Sequence, residues 1–164
     1  MKKLSLIISF LVCIFSAQAQ TADRITYTVT GTGFSTTEET AVTLEQEVVT
    51  NVVYSNPVGT FDPVFIFNFT KASDINSKSL NQAADMGTKL TSIEFKIYAA
   101  GAATPYMSYQ LKNFLLIRFK QGGAAGGGPV IENISLLFEN YGFKDWLNNV
   151  SFGYSTVTRQ ITPY

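Results

Sequence analysis

The chain has 164 residues, with 12 Lys and Arg against 12 Asp and Glu, no His and a single Cys. So even a charge balance offers no pull on phosphate backbones or anionic lipid, which argues against nucleic acid as a partner. Without His, and with Cys13 confined to the leader, the common zinc ligands and the usual serine and cysteine triads are excluded.

The first residues read as an export signal. Lys2 and Lys3 form a positive start, Leu4 to Phe15 is almost unbroken apolar sequence, and Ala17-Gln18-Ala19 has the small-x-small pattern of a cleavage site. The apolar run is about a dozen residues, whereas a membrane-spanning helix needs roughly 20. The bulky Val12 before Cys13 argues against a lipid-attachment site. The expected organisation is a signal peptide over 1–19, cut after Ala19, and one domain over 20–164. The mature chain is then secreted or periplasmic, has no membrane segment, and carries 10 basic against 12 acidic groups. A domain of that size hides roughly 68–70% of its unfolded surface, enough for a core without staples. Lacking cysteine, it has no disulfides and relies on packing or assembly.

Period-two alternation then dominates. Ile25, Tyr27 and Val29 alternate with Thr26, Thr28 and Thr30 in a first strand. Val42 to Tyr54 predicts a second, and Phe65, Phe67 and Phe69 share one face of a third. A Ser77–Met86 helix follows: Asn76 or Ser77 can cap it, Leu80, Ala83 and Ala84 form a narrow apolar face, and Gly87 ends it. Ile93, Phe95 and Ile97 point inward in a fourth strand. Met107, Tyr109 and Leu111 begin a fifth, which continues through Leu115 and Ile117 past a kink at Lys112-Asn113. Ile134, Leu136 and Phe138 form the inner face of a sixth, and Val150, Phe152 and Tyr154 open the last. Between them, Ser55–Pro63 is a turn region carrying Asn56-Pro57 and Asp62-Pro63, and Gln121–Pro129 is a glycine-rich loop. The predicted fold is mainly β, a two-sheet barrel or sandwich of seven or eight strands with one short flanking helix.

Few residues carry chemistry. Glu45 and Glu47 share a strand face, and Glu38 and Glu39 a turn, so a two-carboxylate glycosidase is conceivable; a solvated strand face and a polar loop explain both pairs better. The glycine run from Gly122 to Gly128 lacks the Gly-Lys-Ser/Thr ending of a phosphate loop. Asp62 and Asp74 lack the closely spaced oxygen ligands of a calcium site. Trp146 beside Tyr141 and Phe143 suits core or subunit-interface packing, with sugar stacking as the alternative. No catalysis and no cofactor is expected.

The order of elements is more informative. Phe65 to Gly87 (FIFNFTKASDINSKSLNQAADMG), then Ile93 to Tyr98, then Tyr106 to Phe119 (YMSYQLKNFLLIRF), resemble the succession of strand, helix and strands in the Hcp family of type VI secretion. Glu132 to Phe138 (ENISLLF) is similar to that family's Glu-x-Val-Ser-Leu-x-Phe strand, and Phe152 to Arg159 (FGYSTVTR) to its closing segment, with Tyr154 in a tryptophan place. The resemblance spans roughly residues 61–161. It implies a β-barrel with a flanking helix, a homohexameric ring, and rings that stack into a tube able to carry small effectors. Asn56, Pro57, Gly59 and Asp62 then fall in the candidate ring-stacking loop. Against this structural, self-assembling reading stands an exported β-sandwich that binds carbohydrate or protein at the cell surface.

Overall fold

The computed structural model describes residues 23–37, 39–53, 60–123 and 126–162. Its elements follow in the order β1 (Arg24–Thr30), β2 (Glu39–Val53), β3 (Thr60–Ala72), α1 (Ser77–Met86), β4 (Leu90–Tyr98), β5 (Met107–Gly122), β6 (Ile131–Asp145), β7 (Val150–Ser155) and β8 (Gln160–Thr162). The helix occupies the bounds its apolar spacing predicts.

The strands run β3-β2-β1-β4-β5-β6-β7-β8, and a further pairing of β3 with β6 closes β1 to β6 into a barrel. Every neighbouring pair is antiparallel. β6 makes the closure possible because it is 15 residues long. Its first half, Ile131 to Leu137, pairs with Ala72 to Ile66 of β3, while Asn140 to Asp145 carries the β7–β8 hairpin. β5 is shared in the same way: Met107 to Phe114 pairs with β4, and the rest of the strand has β6 as its only strand partner among the described residues. The barrel therefore has two walls, β2-β3-β6-β5 and β1-β4-β5.

The core is the inward face of these alternating strands. Tyr27, Val29, Phe67, Phe69, Ile93, Phe95, Leu111, Ile134 and Leu136 are all buried. Phe95 stacks on Phe67 with ring centroids 5.0 Å apart and meets Phe69 edge-on at 5.1 Å. α1 adds Leu80 and Ala83 to the same cluster. It ends where Gly87 takes φ 60°, a left-handed conformation that glycine adopts without penalty, and Thr88 N–H donates to the Ala83 carbonyl at 2.9 Å.

Four local expectations are corrected. Leu115 and Ile117 do not continue the inward face of β5; Phe114 and Leu116 do, and Ile117 is 45% exposed. The cause is Asn113, whose φ of 52° breaks the alternation so that the following residues change faces. β6 changes phase at the same level, burying both Phe138 and Tyr141. Asp62 and Pro63 are not in a loop; they belong to β3, opposite Asn51 and Thr50. There β3 has no strand partner but β2 among the described residues, and an edge tolerates a residue without an N–H. Trp146 is 48% exposed, so it is not a core residue. The strand opened by Val150 is not the last, since β8 follows it.

Candidate functional site

A long two-stranded arm is the first candidate surface. β2 touches β1 only through Glu39 to Ala41, whereas it pairs with β3 as far as Val53 opposite Thr60. β3 in turn meets β6 only from Ile66 onward. Thr60 to Phe65 and their partners on β2 therefore extend beyond the barrel as a hairpin with no third strand among the described residues. Asn56, Pro57 and Gly59 lie outside the described residues, in the segment joining the two strands; Asp62 stands on the arm itself, opposite Asn51.

The wall formed by β2, β3, β6 and β5 is the second. Its inward positions carry the phenylalanines; its outward positions hold an apolar row of Ile66, Leu137 and Leu115, followed by rows of mostly polar side chains. Register places Glu45 opposite Asn68, Asn68 opposite Ser135, and Ser135 opposite Arg118, one row across four strands. The bulge between Leu116 and Arg118 brings Arg118 into that row. The next row holds Thr70 and Asn133, joined by a 3.0 Å hydrogen bond from the threonine hydroxyl to the asparagine Oδ1. These residues line a shallow groove of about 490 Å³.

Beneath one end of this wall lies an ionic cluster that α1 closes. Lys71 and Glu132, register partners on β3 and β6, are both 0% exposed and meet at 2.7 Å. Lys71 Nζ also reaches Asp74 Oδ2 at 2.8 Å and donates to Ser77 Oγ at 2.9 Å. The second Glu132 oxygen accepts from Gln121 Nε2 at 2.7 Å, and Tyr27 donates its hydroxyl to Asp74 Oδ2 at 2.6 Å. Burial, then the Asp74 carboxylate, push the Tyr27 phenol far above its usual range. Burial and Asp74 also raise the Glu39 carboxyl, against the pull of Lys71. A buried charge survives only when paired and hydrogen-bonded, and here every charged member is. The cluster ties strand, helix start and strand together; it offers no open position to a substrate.

The remaining sequence candidates scatter. Glu45 and Glu47 stand opposite Asn68 and Ile66 on β2. Among the described residues no three acidic, His or Cys side chains gather as metal ligands. Asp74 is committed to Lys71, and Asp62 lies on the arm. Tyr141 is buried, whereas Trp146 lies at the surface with Lys144 Nζ 3.6 Å from its ring centre and its own N–H directed at Ser108 Oγ, 3.4 Å away. An apolar groove of about 220 Å³ lies between Phe65, Phe138, Phe152, Tyr154 and Ile161.

Sequence reasoning missed Lys71 and Glu132 as a pair. The signal was present, because Lys71 continues the inward phase of Phe65, Phe67 and Phe69, and Glu132 that of Ile134, Leu136 and Phe138. Two opposite charges in core phase on different strands point to one buried pair.

No curated protein matches the sequence. Among solved structures, the chain is similar to Hcp1 from Salmonella typhimurium, with TM-score 0.70 and 12% identity over 86% of this chain and 99% of that one. It is similar to the secreted protein Hcp3 from Pseudomonas aeruginosa, with TM-score 0.61 and 16% identity over 82% and 98%. A chain of the PVC sheath–tube complex, an extracellular contractile injection system, matches at TM-score 0.50 and 10% identity over 74% and 88%. At these identities the likeness shows a shared fold. The family model described as "Type VI secretion system effector, Hcp" matches residues 60–159, from the start of β3 through the turn after β7, and the chain therefore belongs to the Hcp family of type VI secretion.

Proposed function

We propose that this chain is a non-catalytic structural subunit that assembles with copies of itself into six-membered rings, and that the rings stack into a tube. The observation that carries this reading is the wall β2-β3-β6-β5, a sheet with unpaired strand edges on both sides among the described residues. An edge of that length is an aggregation hazard unless something covers it, and identical copies in a closed ring cover every edge at once. The stacking contact belongs to the β2–β3 arm, with Asn56, Pro57, Gly59 and Asp62 at or near its tip. Small secreted effectors are the partners that a lumen lined by the polar groove would accept. Residues 1–19 act as a cleavable export signal, residues 20–164 form the single mature domain, and the protein works outside the cytoplasm.

Size-exclusion chromatography with light scattering tests the assembly: a mass near six subunits is expected, with rings or tubes in negative stain. A monomer at every concentration would end this reading. Intact mass of the exported protein should begin at Gln20. Half-exposed Trp146, beside Leu147, Thr104 and Pro105, favours a second reading as a surface binding module. Loss of glycan binding in Trp146→Ala, with an unchanged fold and no rings, would support it.

A further inference from the structure

The two walls of the barrel meet twice. On one side β5 belongs to both. On the other, β1 and β2 are joined by three register pairs: Ile25 with Ala41, Thr26 with Thr40 and Tyr27 with Glu39. Directly beyond them β2 shifts register against β3, between Ala41 and Thr43, and from there β3 is its sole strand partner among the described residues. Every other ladder that closes the barrel has at least seven pairs. The β1–β2 seam is therefore the narrowest.

This seam carries a carboxylate. Glu39 stands opposite the fully buried Tyr27, which puts its side chain in the inward phase, partly buried. A carboxylate withdrawn from water needs a donor or a cation. Glu39 forms neither hydrogen bond nor ion pair among the described residues. Lys71 of β3, the ammonium of the neighbouring cluster, is committed to Glu132 of β6 at 2.7 Å and to Asp74 at 2.8 Å. Tyr27 of β1 gives its hydroxyl proton to Asp74, and the start of α1 adds the neutral Asn76 and Ser77. Three carboxylates thus share one ammonium, and Glu39 is the one without a bond to it.

Ionised, Glu39 opposes closure of the seam, through the burial of its charge and through repulsion by Asp74. Protonated, it does neither, and the two ion pairs of Lys71 stay intact. From this geometry we infer that Glu39 is an acid-operated latch: proton uptake by its carboxylate fastens β2 to β1 and closes the narrow seam more firmly. The latch belongs to the single chain and holds whether or not copies assemble. Burial, then Asp74, push the Glu39 carboxyl above its ordinary value, and Lys71 offsets them in part. The folded chain therefore binds this proton more tightly than the unfolded chain does. The stabilisation is complete below the unfolded value of about 4.3 and is lost as pH rises through the higher folded value.

Glu39→Gln tests this in the full chain, since it keeps the size of the side chain and removes the charge. At neutral pH the variant should melt above the parent, and its amides at residues 25–27 and 39–41 should be better protected from hydrogen exchange. Both differences should shrink as pH falls toward the unfolded value, where the parent is protonated as well. Glu45→Gln, at an exposed carboxylate further along β2, should leave the pH dependence of the parent unaltered. A Glu39→Gln protein less stable than the parent at neutral pH would overturn the latch. So would an offset that stays constant with pH, or a gain in melting temperature with seam amides no better protected.

Discussion

Lys71 is the centre of the buried ionic cluster. Its ammonium balances two carboxylates, Glu132 at 2.7 Å and Asp74 at 2.8 Å, in a place water does not reach. Removing one partner of such a pair leaves the other charged and unpaired, at a cost of roughly 3–5 kcal/mol. Lys71→Met should therefore destabilise the protein by about that amount in urea denaturation. The double variant Lys71→Met with Glu132→Leu should cost less than the single one, because the buried charge goes together with its partner. If the two effects simply add, the pair is not coupled as the geometry states. The same residues show what the alternation pattern conveys. Reading every second position as inward placed the phenylalanines correctly and passed over two charges standing in the same phase. Hydrophobicity alone marks a charged residue as outward. Only the opposite charge on another strand reveals that it faces in, and strand pairing is a long-range property.

At the scale of elements, the kink in β5 decides which residues reach the core. Asn113 holds φ 52° and donates its side-chain N–H to Glu139 Oε2 at 2.8 Å, while Lys89 pairs with the other oxygen of that carboxylate. A side chain with a Cβ resists the left-handed region by roughly 1–2 kcal/mol, which asparagine partly escapes. Asn113→Ala should destabilise by about 1–2 kcal/mol and Asn113→Gly by less, as thermal melting can show. The hydrogen bonds from Lys89 and Asn113 hold the Glu139 carboxyl below its ordinary value. The sign follows: any stabilisation is complete above the unfolded value of about 4.3 and fades as pH falls through the lower folded value. Glu139→Gln should flatten that acid limb, and an unchanged acid limb would show that the bonds do not persist in solution. The kink itself was visible in the sequence as a break near Lys112-Asn113. The change of face beyond it was not, because a left-handed residue alters the phase without leaving a mark in the hydrophobic pattern. Helix α1 was legible in its bounds, apolar face and terminal glycine, all local signals; the expected cap is not made, since the Asn76 side chain forms no capping bond and its Oδ1 accepts instead from Ser35 N–H at 2.8 Å.

The whole molecule depends on strands that do not neighbour each other in sequence. Closure of β3 on β6 joins residues 59 to 71 positions apart, which no local pattern announces, whereas the family resemblance of the same segments implied a barrel directly. Closure also frees the first residues of β3. From Thr60 to Phe65 the strand runs past the barrel, a reach of about 20 Å at ~3.4 Å per residue. In the proposed tube, an arm of that length on each subunit bridges from one ring to the next without altering contacts inside a ring. Val53 and Thr60 are register partners, so a two-residue Asn-Gly turn can replace residues 54–59 without disturbing the ladder. That exchange deletes Asn56, Pro57 and Gly59 and keeps Asp62. The expected product is a ring of unchanged subunit number that no longer forms tubes in negative stain. Tubes of normal length would move the stacking contact away from the arm tip, and loss of the rings themselves would show that the arm closes the ring instead of joining one ring to another.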